Sequence, residues 1–260
     1  MSNDDLLTHR DGAVLTVTLN RPEKFNALTF SMYRRLHEVV TTLPADGSVR
    51  AMIITGAGEK AFAAGTDISE FRAFSSPKDG LDYESRVDTI LTAIEACPVP
   101  LIAAISGACT GGGAAIAACC DIRIASRSLK YGFPIARTLG NCLSAASLAR
   151  LVALIGQPKV VDLVFTSRLM LADEAKGCSL VGELHDDHAS VMARARSLAA
   201  EISGYAPLTL STTKALLRRM RQAMPKVDDH DLVAKVYTSA DFREGLEAFL
   251  AKRPPRWSGR

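Results

Sequence analysis

Two glycine-bearing turns carry the clearest chemical signal in this 260-residue chain. In the first, Ala61-Phe62-Ala63-Ala64-Gly65-Thr66-Asp67-Ile68-Ser69-Glu70, small residues lead into an Asp67-x-x-Glu70 spacing that reads as a capping box opening a helix. The second, Ser106-Gly107-Ala108-Cys109-Thr110-Gly111-Gly112-Gly113, stands between an apolar run and an Ala-rich stretch. Each places backbone N–H groups at a helix N-terminus with no bulky side chain in the way, which suits an anion or an oxygen that gains negative charge during reaction. The same glycines also suit plain tight turns, and either turn by itself leaves both readings open. Three familiar alternatives are absent: the Gly-x-Gly-x-x-Gly of dinucleotide sites, the Gly-x-x-x-x-Gly-Lys-Ser/Thr phosphate loop and the Gly-x-Ser-x-Gly elbow of serine hydrolases.

Six cysteines stand at 97, 109, 119, 120, 142 and 178 without any Cys-x-x-Cys, and the five histidines are scattered, so no zinc site is expected. Cys97, Cys109, Cys119 and Cys120 sit in apolar sequence and read as small core residues. Cys142 differs. Beside Asn141, near Arg137 and just ahead of a helical pattern, it is either a thiol of lowered pKa available as nucleophile or acid/base, or a buried thiol at a helix start.

The elements that must position these turns follow from periodicity. Asp11-Gly12 signals a hairpin turn before the alternating Val14–Leu19 strand, and Leu36, Val39, Val40 and Leu43 mark a helical face beginning near Met32. Met52-Ile53-Ile54 and Leu101-Ile102-Ala103-Ala104-Ile105 read as buried strands, the second preceded by a helix (Val87, Ile90, Leu91, Ile94) that Pro98 and Pro100 stop. An Ala-rich helix to about Ala118 and a strand at Ile122-Arg123-Ile124 complete an α/β pattern. After about residue 186 the pattern is helical, with Val191, Ala195, Leu198 and Ile202 on one face. Residues 1–205 are expected to form the core and residues 206–260 a helical region of the same single domain.

Composition narrows the partners. Apolar residues make up 48% and charged residues 23%, an ordinary globular mixture, and the net charge of +3 is too small for a dedicated nucleic-acid binder. No apolar run is long enough for a membrane span, and Met1-Ser2-Asn3-Asp4-Asp5 lacks the basic-then-apolar order of a secretion leader, so a cytoplasmic location is expected. Lys252, Arg253, Arg256 and Arg260 against Glu247 place a local excess in residues 245–260, read as a solvated terminus or as a steering charge for an anionic ligand.

Taken together, the segments resemble the crotonase superfamily, the enoyl-CoA hydratase/isomerase family. The resemblance rests on Asn20–Leu28 (NRPEKFNAL), Ile53-Ile54-Thr55-Gly56, Phe62–Ile68, Pro100–Gly107, Gly111-Gly112-Gly113, Cys120–Ala125 and Asp241–Arg253, and spans residues 13–253. It implies a spiral ββα core of two roughly perpendicular sheets, a C-terminal helical trimerisation region, homotrimers often paired into hexamers, and acyl-CoA thioester substrates with no separate cofactor. It further implies that the N–H groups of Thr66 and Gly112 hold the thioester oxygen as the α-carbon becomes an enolate. Ala27 and Ala64 fall where the adenine end of CoA is bracketed, and Lys24 where a basic residue meets its phosphates or stands solvated. Asp67, Ile68, Gly111 and Leu139 are carried over as further substrate-binding positions, although the capping-box spacing gives Asp67 and Glu70 a structural alternative. Phe71, Phe74, Phe133, Leu139 and Leu143 are candidates for an apolar acyl pocket or ordinary core.

The chain departs from the family at two positions. Hydratases of this family use two glutamates for water addition, and the corresponding positions here are Ala115 and Ile135. Each positioned acid–base group contributes about 10²–10⁴-fold in rate, so ordinary two-glutamate hydration is disfavoured. Arg137 is a candidate partner of a substrate carboxylate or of Asp121. Three readings follow: a thioester lyase or isomerase with nonstandard proton transfer, decarboxylation of a malonyl-type thioester included; a hydratase with a shifted acid/base; and a catalytically silent acyl-CoA-binding paralogue.

Overall fold

Each of the two glycine-bearing turns lies where the chain crosses from a short strand of one sheet into a helix. In the computed structural model, residues 5–44, 46–223 and 227–260 are described; Met1–Asp4, part of the segment read against a secretion leader, lie outside them. The hairpin of β1 (Leu6–Asp11) and β2 (Val14–Leu19) turns at Asp11-Gly12, and α1 (Phe30–Thr41) follows, with Thr29 capping it through Met32 N–H. The chain then repeats a pattern of strand, strand, helix. β3 (Ala51–Gly56) and β4 (Ala61–Ala63) precede α2 (Pro77–Ala96). β5 (Leu101–Ile105) and β6 (Ala108–Thr110) precede α3 (Gly112–Cys119), and β7 (Ile122–Ser126) and β8 (Lys130–Gly132) precede the short α4 (Ile135–Thr138).

The first strand of each repeat enters a six-stranded sheet of order β1-β2-β3-β5-β7-β10, and the second enters a four-stranded sheet of order β4-β6-β8-β9. Here β9 is Met170–Leu171 and β10 is Glu183–His185; all pairings are parallel except β1 with β2 and β8 with β9. The three-residue strands of the smaller sheet are too short to show alternation, so the sequence reads them as turns.

Alternation along the longer strands decides which face each residue buries. Met52, Ile54, Leu101, Ala103 and Ile105 enter the main core, whereas Ile53, Ile102, Ala104 and Ile124 face the opposite way onto Val191, Ala195, Ala199 and Ile202 of α8 (His188–Ser203). Helix α8 is therefore one layer of the sheet packing. In chain order α5 (Ala145–Ile155), α6 (Gln157–Thr166) and α7 (Ala172–Gly177) precede α8, and α9 (Pro207–Gln222), α10 (His230–Tyr237) and α11 (Ala240–Leu250) follow it.

Helix α11 folds back over the segment that follows the first glycine-bearing turn and over Leu139. Phe242 of α11 packs edge-on against Phe71 at 6.0 Å, and Gly245 is so close to Leu139 that a Cβ there would fall 2.3 Å from the Leu139 carbonyl oxygen. The basic terminus is exposed and also pinned to α11. Arg253 pairs with Glu244 of α11, Arg256 N–H donates to the same carboxylate, and Ser258 and Gly259 N–H donate to Asp241. A window beginning at residue 245 misses both carboxylates. No helix among the described residues is long and apolar enough to cross a membrane.

Candidate functional site

The turn at Thr66 is stitched to the loop that carries Lys24 and Ala27. Ala64 N–H donates to Phe25 O at 3.0 Å, Leu28 N–H to Gly65 O at 2.8 Å and Asp67 N–H to Leu28 O at 2.8 Å. This bridge uses the groups on either side of Thr66 and leaves its own N–H directed away from Leu28, without an acceptor among the described residues. Buried Asn26 fixes the loop, donating to Ala57 O and Ala61 O and accepting Arg21 N–H. Lys24 and Ala64 are exposed and Ala27 is half-buried.

Gly112 is the first residue of α3, so its N–H is one of the four donors every helix start leaves without an internal partner. The residues just before the two free donors, Gly65 and Gly111, have φ of 104° and 51°, where a side chain would strain the backbone. A Cβ on Gly111 would lie 3.4 Å from Gly65 Cα, and one on Gly65 would lie 4.0 Å from Gly112 N. The turns therefore touch. Two unspent N–H groups sit on abutting turns, an arrangement suited to an anionic oxygen.

Three hydroxyls stand over this pair, two of which no sequence pattern singled out. Thr66 Oγ1 lies 3.0 Å from Tyr33 Oη and 2.8 Å from Tyr83 Oη. A Cβ on Gly112 would be 2.0 Å from Tyr33 Oη and 3.3 Å from Thr66 Oγ1, so the Tyr33 hydroxyl overhangs the glycine. Burial pushes the Tyr33 phenol up to about 12, helped by the charge of Glu84, and burial raises Tyr83 further. Both phenols are neutral donors at pH 7. Tyr33 and Tyr83 also wall a cavity of about 380 Å³ between α1 and α2, with Phe30, Val87 and Ile90.

The carboxylates nearest in sequence are committed elsewhere. Asp67 accepts Arg21 Nη1 at 2.9 Å and caps a short 3-10 turn, Ile68–Ala73, through Ser69 N–H. Burial alone would raise this carboxyl, but the Ser69 hydroxyl and Arg21 outweigh it and hold it below the ordinary range. Glu70 closes no capping box with Asp67: its Oε1 accepts Phe30 N–H at the start of α1. Asp67 and Glu70 thus serve the backbone, and the expected helix is a 3-10 turn. Ile68 lies half-buried in that turn and packs against the core. The buried Ala115 and half-buried Ile135 place no proton-transfer group at their positions.

Other candidates lie differently from expectation. Asp121 pairs with Lys214 at 2.5 Å and accepts Leu101 N–H, while Arg137 is exposed on α4 without an ion pair among the described residues. The suggested Arg137–Asp121 pair does not form. Phe71 and Phe74, read as acyl-pocket or ordinary core residues, interlock with Tyr83, Tyr237 and Phe242 in an aromatic cluster, and Leu139 is buried beneath α11. Phe133 is core against Tyr131, and Leu143 packs against the same core.

Cys142 loses the electrostatics of a nucleophile. Burial pushes its thiol up to about 12, and the negative charges of Glu84 and Asp229 add to the effect, so it is protonated at neutral pH. Glu84 is the unexpected group here. Only 8% exposed, it accepts Tyr237 Oη at 2.5 Å, and burial raises its pKa to about 7, with Asp88 and Asp229 adding to the shift. Among the described residues no group of three or more His, Cys, Asp or Glu is placed to hold a metal ion.

The family model for enoyl-CoA hydratase/isomerase matches residues 9–260. A short-chain-enoyl-CoA hydratase of Clostridium acetobutylicum is 31% identical over 97% of both chains. An enoyl-CoA hydratase/carnithine racemase structure from Magnetospirillum magneticum is 37% identical, with a TM-score of 0.79 over 100% of this chain and 97% of that one. A methylmalonyl-CoA decarboxylase in complex with 2-nitronate-propionyl-CoA is 25% identical, with a TM-score of 0.90 over the whole of both chains.

Proposed function

The chain belongs to the enoyl-CoA hydratase/isomerase family, and from that membership we propose that it converts acyl-CoA thioesters through an enolate whose oxygen is held by the Thr66 and Gly112 N–H groups. Within that chemistry the reading is decarboxylation of a malonyl-type thioester. The observation that carries it is the pairing of two unspent N–H donors with alkyl side chains at positions 115 and 135. Loss of CO₂ leaves its electron pair on the α-carbon and needs no base to start. A carboxylate at either position would repel the substrate's own carboxylate. Fixed donors aimed at an oxygen that gains charge only in the transition state accelerate the step rather than merely tighten binding. The likeness to the methylmalonyl-CoA decarboxylase supports the reading at the level of the whole chain.

In this scheme Lys24, exposed beside Ala27 and Ala64, meets the CoA phosphates, and the cavity between α1 and α2 takes the acyl group. Arg137 is free to approach a substrate carboxylate from α4. Asp67 contributes through the backbone that its Arg21 contact fixes. No cofactor beyond the CoA of the substrate is invoked. The C-terminal helices, which carry exposed Leu208, Leu216, Leu217 and Met220, are read as the surface of a homotrimer or hexamer.

A second reading, hydration with a displaced acid/base, is favoured by one observation: Glu84, tuned to about 7, lies close enough to raise the Tyr33 phenol. A panel of acyl-CoA esters separates the two. Methylmalonyl- or malonyl-CoA should release CO₂ and leave the shortened acyl-CoA by mass spectrometry. Water addition to 2-enoyl-CoA without any CO₂ release would replace decarboxylation by hydration, and binding without turnover of any ester would leave only a carrier.

A further inference from the structure

Decarboxylation without a carboxylate acid leaves one step unassigned, the protonation of the α-carbon, and the three hydroxyls at Thr66 bear on it. Two hydrogen bonds join Tyr33, Thr66 and Tyr83, using two of the three hydroxyl hydrogens. The third lies between the two phenols, whose hydroxyls also interact with each other. When Tyr83 donates to Thr66 and Thr66 donates to Tyr33, that hydrogen sits on Tyr33 Oη, the hydroxyl that overhangs Gly112.

We propose that Tyr33 is the acid that protonates the α-carbon of the enolate, with Thr66 and Tyr83 relaying its proton back from the cavity between α1 and α2. The proposal rests on the enolate reading above. Cleavage of the bond between the α-carbon and the carboxylate releases CO₂ and leaves its electron pair shared between the α-carbon and the thioester oxygen. That pair takes the Tyr33 Oη proton at the α-carbon. The resulting phenolate takes the Thr66 hydroxyl proton, Thr66 takes that of Tyr83, and Tyr83, which lines the cavity, recovers one from water. The sum is one CO₂ lost and one solvent proton gained. Thr66 then acts twice, with its backbone N–H on the enolate oxygen and its hydroxyl in the relay. A neutral buried phenol fits the role because it carries its proton at neutral pH and places no negative charge beside a carboxylate substrate.

The test uses propionyl-CoA in D₂O, which needs no carboxylate and reads the proton transfer in reverse. The wild-type protein should exchange the α-hydrogens, followed by mass spectrometry. Tyr33→Phe should slow exchange by at least about 100-fold, while the propionyl-CoA dissociation constant and the melting temperature stay near the wild-type values. Thr66→Val keeps the N–H and removes the hydroxyl, so it should slow exchange while leaving affinity intact. Exchange by Tyr33→Phe at the wild-type rate, or no exchange by the wild type, overturns the proposal. Absence of CO₂ release alongside Tyr33-dependent exchange supports the proton-transfer assignment and removes only decarboxylation.

Discussion

Replacing Glu84 by Gln tests the electrostatics beneath the site. The carboxyl lies on α2, 8% exposed, bonded by Tyr237 Oη, and is raised from 4.5 to about 7 by burial and by Asp88 and Asp229. The folded protein thus holds this proton more tightly than the unfolded chain. The stabilisation is fully present below the unfolded value of 4.5 and is lost as pH rises through about 7. The displacement is equivalent to about 3 kcal/mol in total, of which roughly 2–3 kcal/mol falls between pH 5 and pH 8. Glutamine accepts the Tyr237 hydrogen bond and cannot ionise. Urea denaturation of both proteins at one protomer concentration should show the Glu84→Gln advantage growing by about that amount from pH 5 to pH 8. Other titrating groups cancel in the difference. A gap that stays constant across that range refutes the reasoning.

Further outcomes follow from the same contacts. Cys142→Ala should leave turnover within about twofold of wild type, because a thiol held protonated does no nucleophilic work; a loss of orders of magnitude in kcat restores Cys142 to the mechanism. Lys24→Ala should weaken acyl-CoA binding by about two- to fivefold at low salt, as an exposed ion pair does, and calorimetry at high salt should show the gap close. Arg150 is buried against Asp88 at 2.8 Å and Glu95 at 3.2 Å. Arg150→Met should cost about 1–3 kcal/mol in denaturation, because Asp88 loses its ion pair while Glu95 keeps Arg221.

The sequence announces elements whose reasons are local. Alternation marks β2, the apolar runs mark β3 and β5, and the triple glycine marks the start of α3, whereas Thr66 and Gly112 are named as donors in advance only through the family resemblance. What escapes it depends on contacts between distant segments. Tyr33 reads as one position on a helical face, and only the fold brings it to Thr66 and Tyr83. The Asp67-x-x-Glu70 spacing looks self-contained, yet Glu70 turns to the first turn of α1 and Arg21 claims Asp67. Lys214 of α9 takes Asp121, and Arg137 makes no ion pair among the described residues. Cys142 shows the same limit in its chemistry: neighbours in sequence leave a reactive and a buried thiol both open, and burial together with Glu84 and Asp229 raises its pKa.

The central claim is that Thr66 and Gly112 bind an enolate oxygen more strongly than a thioester carbonyl. It is tested most directly by comparing the dissociation constants of propionyl-CoA and of its 2-nitronate analogue, whose charged nitronate mimics the enolate. The nitronate should bind at least about 100-fold more tightly. Equal affinities would contradict the claim.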